Sequence, residues 1–184
     1  QTQAILVEDF LANEEQDTFL HILHHDNRNG KIIRMEKYAD KNLRHKASRN
    51  YKDLVSSDRN ADTYVSLNSF RKDRRINKDV YNYENIAVDL DMHTGGDVEK
   101  LYEVLLEKIE NKKLPTPTMI TFTGRGLCVF YNFKRSIPRK SKSAFSLLEI
   151  TTDFLFRAYE SELAGCNCVV DKSVSAPASS AAIR

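Results

Sequence analysis

Ile86-Ala87-Val88-Asp89-Leu90-Asp91-Met92-His93 sets two carboxylates among alternating apolar residues near the middle of the chain. With the two-residue period of a strand, Ile86, Val88, Leu90 and Met92 fall on one face and Ala87, Asp89 and Asp91 on the other. Two carboxylates then stand side by side on a strand whose opposite face is apolar enough to be core. Same-face neighbours lie roughly 6.5 to 7 Å apart along a strand, so both side chains can converge on a divalent cation that cancels their repulsion. The competing reading is a solvated strand face that happens to be acidic, and the Asp-x-Asp spacing alone leaves both open.

Working outward, Thr94-Gly95-Gly96 turns the chain and Asp97 caps a helix in which Val98, Leu101, Tyr102, Leu105 and Ile109 keep helical spacing. Lys112, Lys113 and Pro115 end it. Thr118–Thr123 and Leu127–Phe133 are β-branched and aromatic, hence strands, joined at Gly124-Arg125-Gly126 as a tight hairpin turn. Glycines let backbone amides approach an anion, and Arg125 at the tip with Thr123 at the base are natural phosphate partners. A turn that merely turns is the alternative. Ser141 or Ser143 then caps a helix with Ala144, Leu147, Leu148, Thr151, Leu155 and Ala158 as its stripe, and Gly165 closes it. Cys166–Asp171 reads as a short apolar strand ending in a carboxylate.

Upstream, Thr63–Phe70 alternates as one strand, and Arg71–Lys78 is a polar connection. Asn13-Glu14-Glu15 starts a helix with Phe19, Leu20, Ile22 and Leu23 as its apolar stripe, ended by Asn27–Gly30. His21, His24 and His25 lie near its end without the companion ligands of a zinc site. From Lys31 to Ala61 the pattern is strand and loop.

The chain has 184 residues, 41% of them apolar, enough for a real core in one domain with a smaller appendage. No run approaches the roughly 20 apolar residues of a membrane span, and no basic-then-apolar leader opens it, so a cytoplasmic location is expected. Three cysteines with a Cys166-x-Cys168 pair match neither a zinc spacing nor a disulfide framework. Net charge is only +2, but Lys and Arg cluster in three runs: Arg28 to Lys52, Arg71 to Arg75, and Lys134 to Lys142. Such runs can neutralise phosphates; solvated basic loops are the bland alternative.

Asp-x-Asp on an apolar strand, a helix, a Thr-Gly-x-Gly hairpin, another helix and a later apolar segment ending in Asp together resemble the archaeo-eukaryotic primase superfamily, the primase-polymerases. The likeness is to the branch found in replication proteins of plasmids and other mobile elements. It covers residues 63–184 as a catalytic core, with 1–62 as an N-terminal helical and basic subdomain. The resemblance implies an α+β fold, a mainly antiparallel or mixed sheet flanked by helices with an RRM-like core. It implies Asp89, Asp91 and, by order, Asp171 as catalytic acids holding Mg²⁺ or Mn²⁺, and Thr123, Gly124, Arg125 and Gly126 as nucleotide-binding residues.

The same resemblance gives Arg184 as the start of a further nucleotide-binding segment, the sequence being expected to be a piece of a longer chain. Nucleoside triphosphates and a single-stranded DNA template are the implied partners, with a helicase domain or protein in the parent. Tyr64, Phe70, Tyr81 or Tyr83 are candidate stacking platforms, and His93 a candidate nucleotide or metal contact against a simple loop histidine. Many members carry histidine where this chain has Cys128, which favours the alternative of a catalytically inactive replication initiator or nucleic-acid-binding module. A relaxase or nuclease would need a His-x-His pair, which adjacent His24 and His25 do not supply.

Overall fold

The computed structural model describes residues 20–26, 32–38, 61–72, 74–177 and 179–182. Its spine is a long ladder of two antiparallel strands, β5 (Val80–Met92) and β7 (Gly126–Pro138). The acidic stretch is the second half of β5. β7 carries β6 (Met119–Phe122) on its far side, while β5 pairs at its start with the two-residue β4 (Ser69–Phe70) and at its end with β8 (Cys168–Asp171). A second antiparallel sheet runs β2 (Ile32–Tyr38), β1 (Leu20–Asp26), β3 (Ala61–Ser66), β9 (Ser180–Ala182).

The helices cover the face of the long ladder that the alternation assigned to the core. α1 (Val98–Glu110) begins at Asp97, whose side chain accepts from the Lys100 amide at 3.0 Å. Its Tyr102 ring packs 5.2 Å from Phe122, which is in register with Leu127 and through it with Leu90. α2 (Lys142–Glu162), capped by Ser141, meets the same face where the Tyr159 and Tyr131 hydroxyls bond at 2.7 Å; Tyr131 is in register with Ile86. Val88, Leu90, Leu101, Leu105, Val129 and Tyr159 are buried together there. Among the described residues no helix is long and apolar enough to cross a membrane.

Three expectations are corrected. Residues 20–26 form strand β1, not the end of a helix: Leu20, Ile22 and Leu23 suit either period over so short a run, and pairing with both β2 and β3 decides for strand. The helix start at Asn13 lies outside the described residues. Thr63–Phe70 is not one strand, because the chain bends at Leu67-Asn68 and passes from β3 in one sheet to β4 in the other. On α2 the buried residues are Leu155, Phe156 and Tyr159, whereas Leu147 of the expected stripe is 64% exposed. Leu155 of that stripe is buried and Leu148 and Ala158 pack half-buried against the core, so only its edge at Leu147 and Thr151 faces water, beside Ile150 and Phe154. The boundary drawn at residue 62 falls within β3, and the second sheet draws strands from both sides of it.

Candidate metal centre

The ladder registers place four side chains in one row on the face away from the helices. Asp171 of β8 pairs with Asp89 of β5, Asp89 with Cys128 of β7, and Cys128 with Thr121 of β6. Directly paired residues point to the same side of a sheet. Asp91, two residues on, shares that side and pairs with Val169 and Gly126. Carboxylate oxygens of Asp89, Asp91 and Asp171 all lie within 4.8 Å of one another.

Three carboxylates so close, none fully exposed, repel unless a proton or a cation intervenes. Burial foremost, then the charges of Asp91 and Asp171, push the Asp89 carboxyl up to about 6. Asp89 Oδ1 is buried without a hydrogen-bond partner among the described residues. An orphaned carboxylate oxygen facing two more acids is the donor set that a hard divalent cation takes, so these residues fit Mg²⁺ or Mn²⁺. Asp171 is held in place by its own local turn, its Oδ1 accepting from the Ser173 amide and its Oδ2 from the Ser173 hydroxyl, both at 2.8 Å.

The Gly-Arg-Gly turn sits against this row. The Thr123 amide donates to the Gly126 carbonyl at 3.0 Å, and the Met92 amide donates to the Arg125 carbonyl at 3.0 Å, which ties the turn to the strand beside Asp91. Gly124 has φ +91°, where a side chain is strained. At Gly126 a Cβ would lie 1.8 Å from the Leu90 carbonyl oxygen, so only glycine lets β7 pass β5 there. Arg125 is exposed and Thr123 half-buried.

Cys128, 1% exposed, holds its thiol well above the ordinary range, through burial first and then the charges of Asp89 and Asp91. It is a neutral thiol beneath the acids. Of the four candidate stacking residues, Phe70 and Tyr83 are buried in a small core cluster, while Tyr64 and Tyr81 are half-buried. Tyr64, on β3 of the second sheet, feels the site's charges: burial raises its hydroxyl, Asp89 raises it further, Arg125 lowers it and Asp91 raises it. No local pattern in β3 could have singled it out for that place. His93 is exposed just past β5, its amide bonded to the Asn167 carbonyl at 3.0 Å, and Arg184 lies outside the described residues. So does most of the basic run from Arg28 to Lys52.

No family model matches the chain, and no curated protein matches it. Among solved structures it is similar to the AEP domain of the cyanophage S-2L primase-polymerase (PrimPol), with a TM-score of 0.55 at 15% sequence identity over 99% of this chain and 80% of that one. The chain thus has the α+β fold of the primase-polymerase core, an antiparallel sheet flanked by helices, as the motif order implied.

Proposed function

We propose that this chain is the catalytic core of a template-dependent nucleotidyltransferase, a DNA primase-polymerase making primers in mobile-element replication. One observation carries the reading: on a primase-polymerase fold, three acids from two distant segments meet within 4.8 Å beside a glycine turn bearing Arg125. An acidic cluster elsewhere on the surface would not carry it.

Asp89, Asp91 and Asp171 would hold Mg²⁺ or Mn²⁺, which when bound supplies the charge neutralisation and Lewis acidity that phosphoryl transfer needs. Arg125 at the tip of the turn binds the triphosphate of the incoming nucleotide, with the Thr123 hydroxyl and the backbone of Gly124 and Gly126 alongside. Gly126, by allowing the close approach of β7 to β5, keeps that grip next to Asp91. The chemistry is attack of a 3′-hydroxyl on the α-phosphorus, forming one P–O bond and releasing pyrophosphate as another breaks. Tyr64, half-buried on β3 and within the field of Asp89, Arg125 and Asp91, is a further candidate for a nucleotide contact. Single-stranded DNA is the template.

Cys128 favours a second reading, a replication initiator or nucleic-acid-binding module that keeps the fold without catalysis, since a buried neutral thiol cannot donate to a phosphate as a histidine would. Incubation with single-stranded template, ribo- or deoxynucleoside triphosphates and Mn²⁺ separates the two. Labelled oligomers from the wild type, and none from Asp89→Ala with Asp91→Ala, are expected. Template binding with no incorporation would leave only the second reading.

A further inference from the structure

Two basic runs that are far apart in the sequence meet at the end of the β5–β7 ladder remote from the acids. Arg71 and Lys72 follow β4, Lys78 lies in the short 3-10 turn before β5, and Arg139 and Lys140 occupy the turn between β7 and α2. Pairing of Asn82 with Pro138 and of Tyr83 with Ile137 closes the ladder here. The Arg139 amide donates to the Tyr81 carbonyl at 3.4 Å, and its guanidinium donates to the Lys78 carbonyl. The Arg71 guanidinium lies over the Tyr81 ring, 5.1 Å from its centroid.

All five cations are exposed. The nearby acid Asp79 does not offset them, being 6% exposed and bonded to Arg74; Glu149 of α2 is an acid whose charge, like that of Arg139, is felt at Tyr83. Residues 81 and 89 are eight apart on one strand, which at about 3.3 Å each separates this patch from the acids by roughly 26 Å.

We infer that this platform is a second nucleic-acid contact, which clamps the phosphates of a strand whose reacting end lies at the acids. The clamp follows from charge and geometry; its relation to a reacting end rests on the nucleotidyl-transfer reading. At the duplex rise of about 3.4 Å per nucleotide, roughly 26 Å of paired primer and template corresponds to about eight nucleotides, so only a longer strand can engage both places.

The test uses Lys72→Ala with Lys140→Ala, two exposed residues, and as an equal loss of charge elsewhere Lys112→Ala with Lys113→Ala. Fluorescence anisotropy of a labelled single-stranded oligodeoxynucleotide is measured against salt. The platform variant should bind more weakly and lower the slope of log affinity on log salt by about 1.4, about 0.7 per lost contact, with the control unchanged. An unchanged slope, an equal fall in the control, or binding to anionic phosphatidylserine vesicles without binding to the oligonucleotide would overturn the clamp. In primer-extension assays the platform variant should raise KM only for primer strands longer than about eight nucleotides. A rise independent of length would overturn the remote placement. A lowered slope with no incorporation by any protein would leave the clamp standing and remove the nucleotidyl-transfer reading.

Discussion

Asp89 and Asp171 face each other directly across the β5–β8 ladder, and among the described residues no Lys or Arg forms an ion pair with either. Like charges opposite one another in a sheet are destabilising. The folded chain therefore bears a strain at this site that a proton or a cation relieves.

The proton's share predicts a pH dependence. Between the ordinary value of 3.8 and about 6 the folded protein holds at Asp89 a proton that the unfolded chain has released, so stability in chelator falls as pH rises through that window. Thermal melts of Asp89→Asn should lack this component and give a higher Tm than wild type above about pH 6. Parallel curves for the two proteins would show that Asp89 is not perturbed.

At Gly126 the backbone itself is the obstacle. Gly126→Ala places a methyl group 1.8 Å from the Leu90 carbonyl oxygen, where no side-chain rotation can relieve it. A loss of about 2 to 4 kcal/mol in denaturant unfolding is expected, as for other overpacked or strained positions. Gly165→Ala, with open space at its Cβ, should cost far less.

The paired hydroxyls of Tyr131 and Tyr159 give a third prediction. Burial pushes Tyr131 up to about 12 and Tyr159 higher still, so both stay neutral; Tyr131 donates to the Pro115 carbonyl at 2.9 Å and accepts from the Tyr159 hydroxyl at 2.7 Å. Tyr131→Phe strands the Tyr159 hydroxyl in the core and should cost about 1 to 3 kcal/mol. The double Phe variant should lose less than the sum of the singles, and strict additivity would show that the bond does not form.

Much of this was legible in the sequence where a local period sufficed. The two faces of residues 86–92, the Asp97 cap and the Gly-Arg-Gly hairpin follow from alternation, capping chemistry and turn residues, and each is where the sequence placed it. What local pattern could not supply is pairing between distant segments. Asp171 was matched by motif order, and only the antiparallel docking of β8 on β5 brings its carboxylate to Asp89. Leu20–Asp26 was misread because a short apolar run fits both periods until its partners β2 and β3 are known. The convergence of residues 71–78 with 134–142 depends on the closing register of the β5–β7 ladder, and the field that the acids exert at Tyr64 on where the second sheet lies.

Thiol chemistry offers a check on the row beneath the acids. Cys128 should resist alkylation in the native protein at neutral pH, burial and the neighbouring carboxylates holding its thiol neutral, while the half-buried Cys166 and Cys168 react first. Rapid native labelling of Cys128 would mean that β7 does not cover it as described.

If Asp89, Asp91 and Asp171 form one cation site, isothermal titration of Mn²⁺ into the metal-free protein registers it without recourse to activity. Wild type should bind Mn²⁺, and Asp171→Asn should weaken that binding by about tenfold or more despite its distance in sequence from the Asp-x-Asp pair, a loss of about 1.4 kcal/mol. Equal Mn²⁺ affinity for wild type and Asp171→Asn would contradict the account.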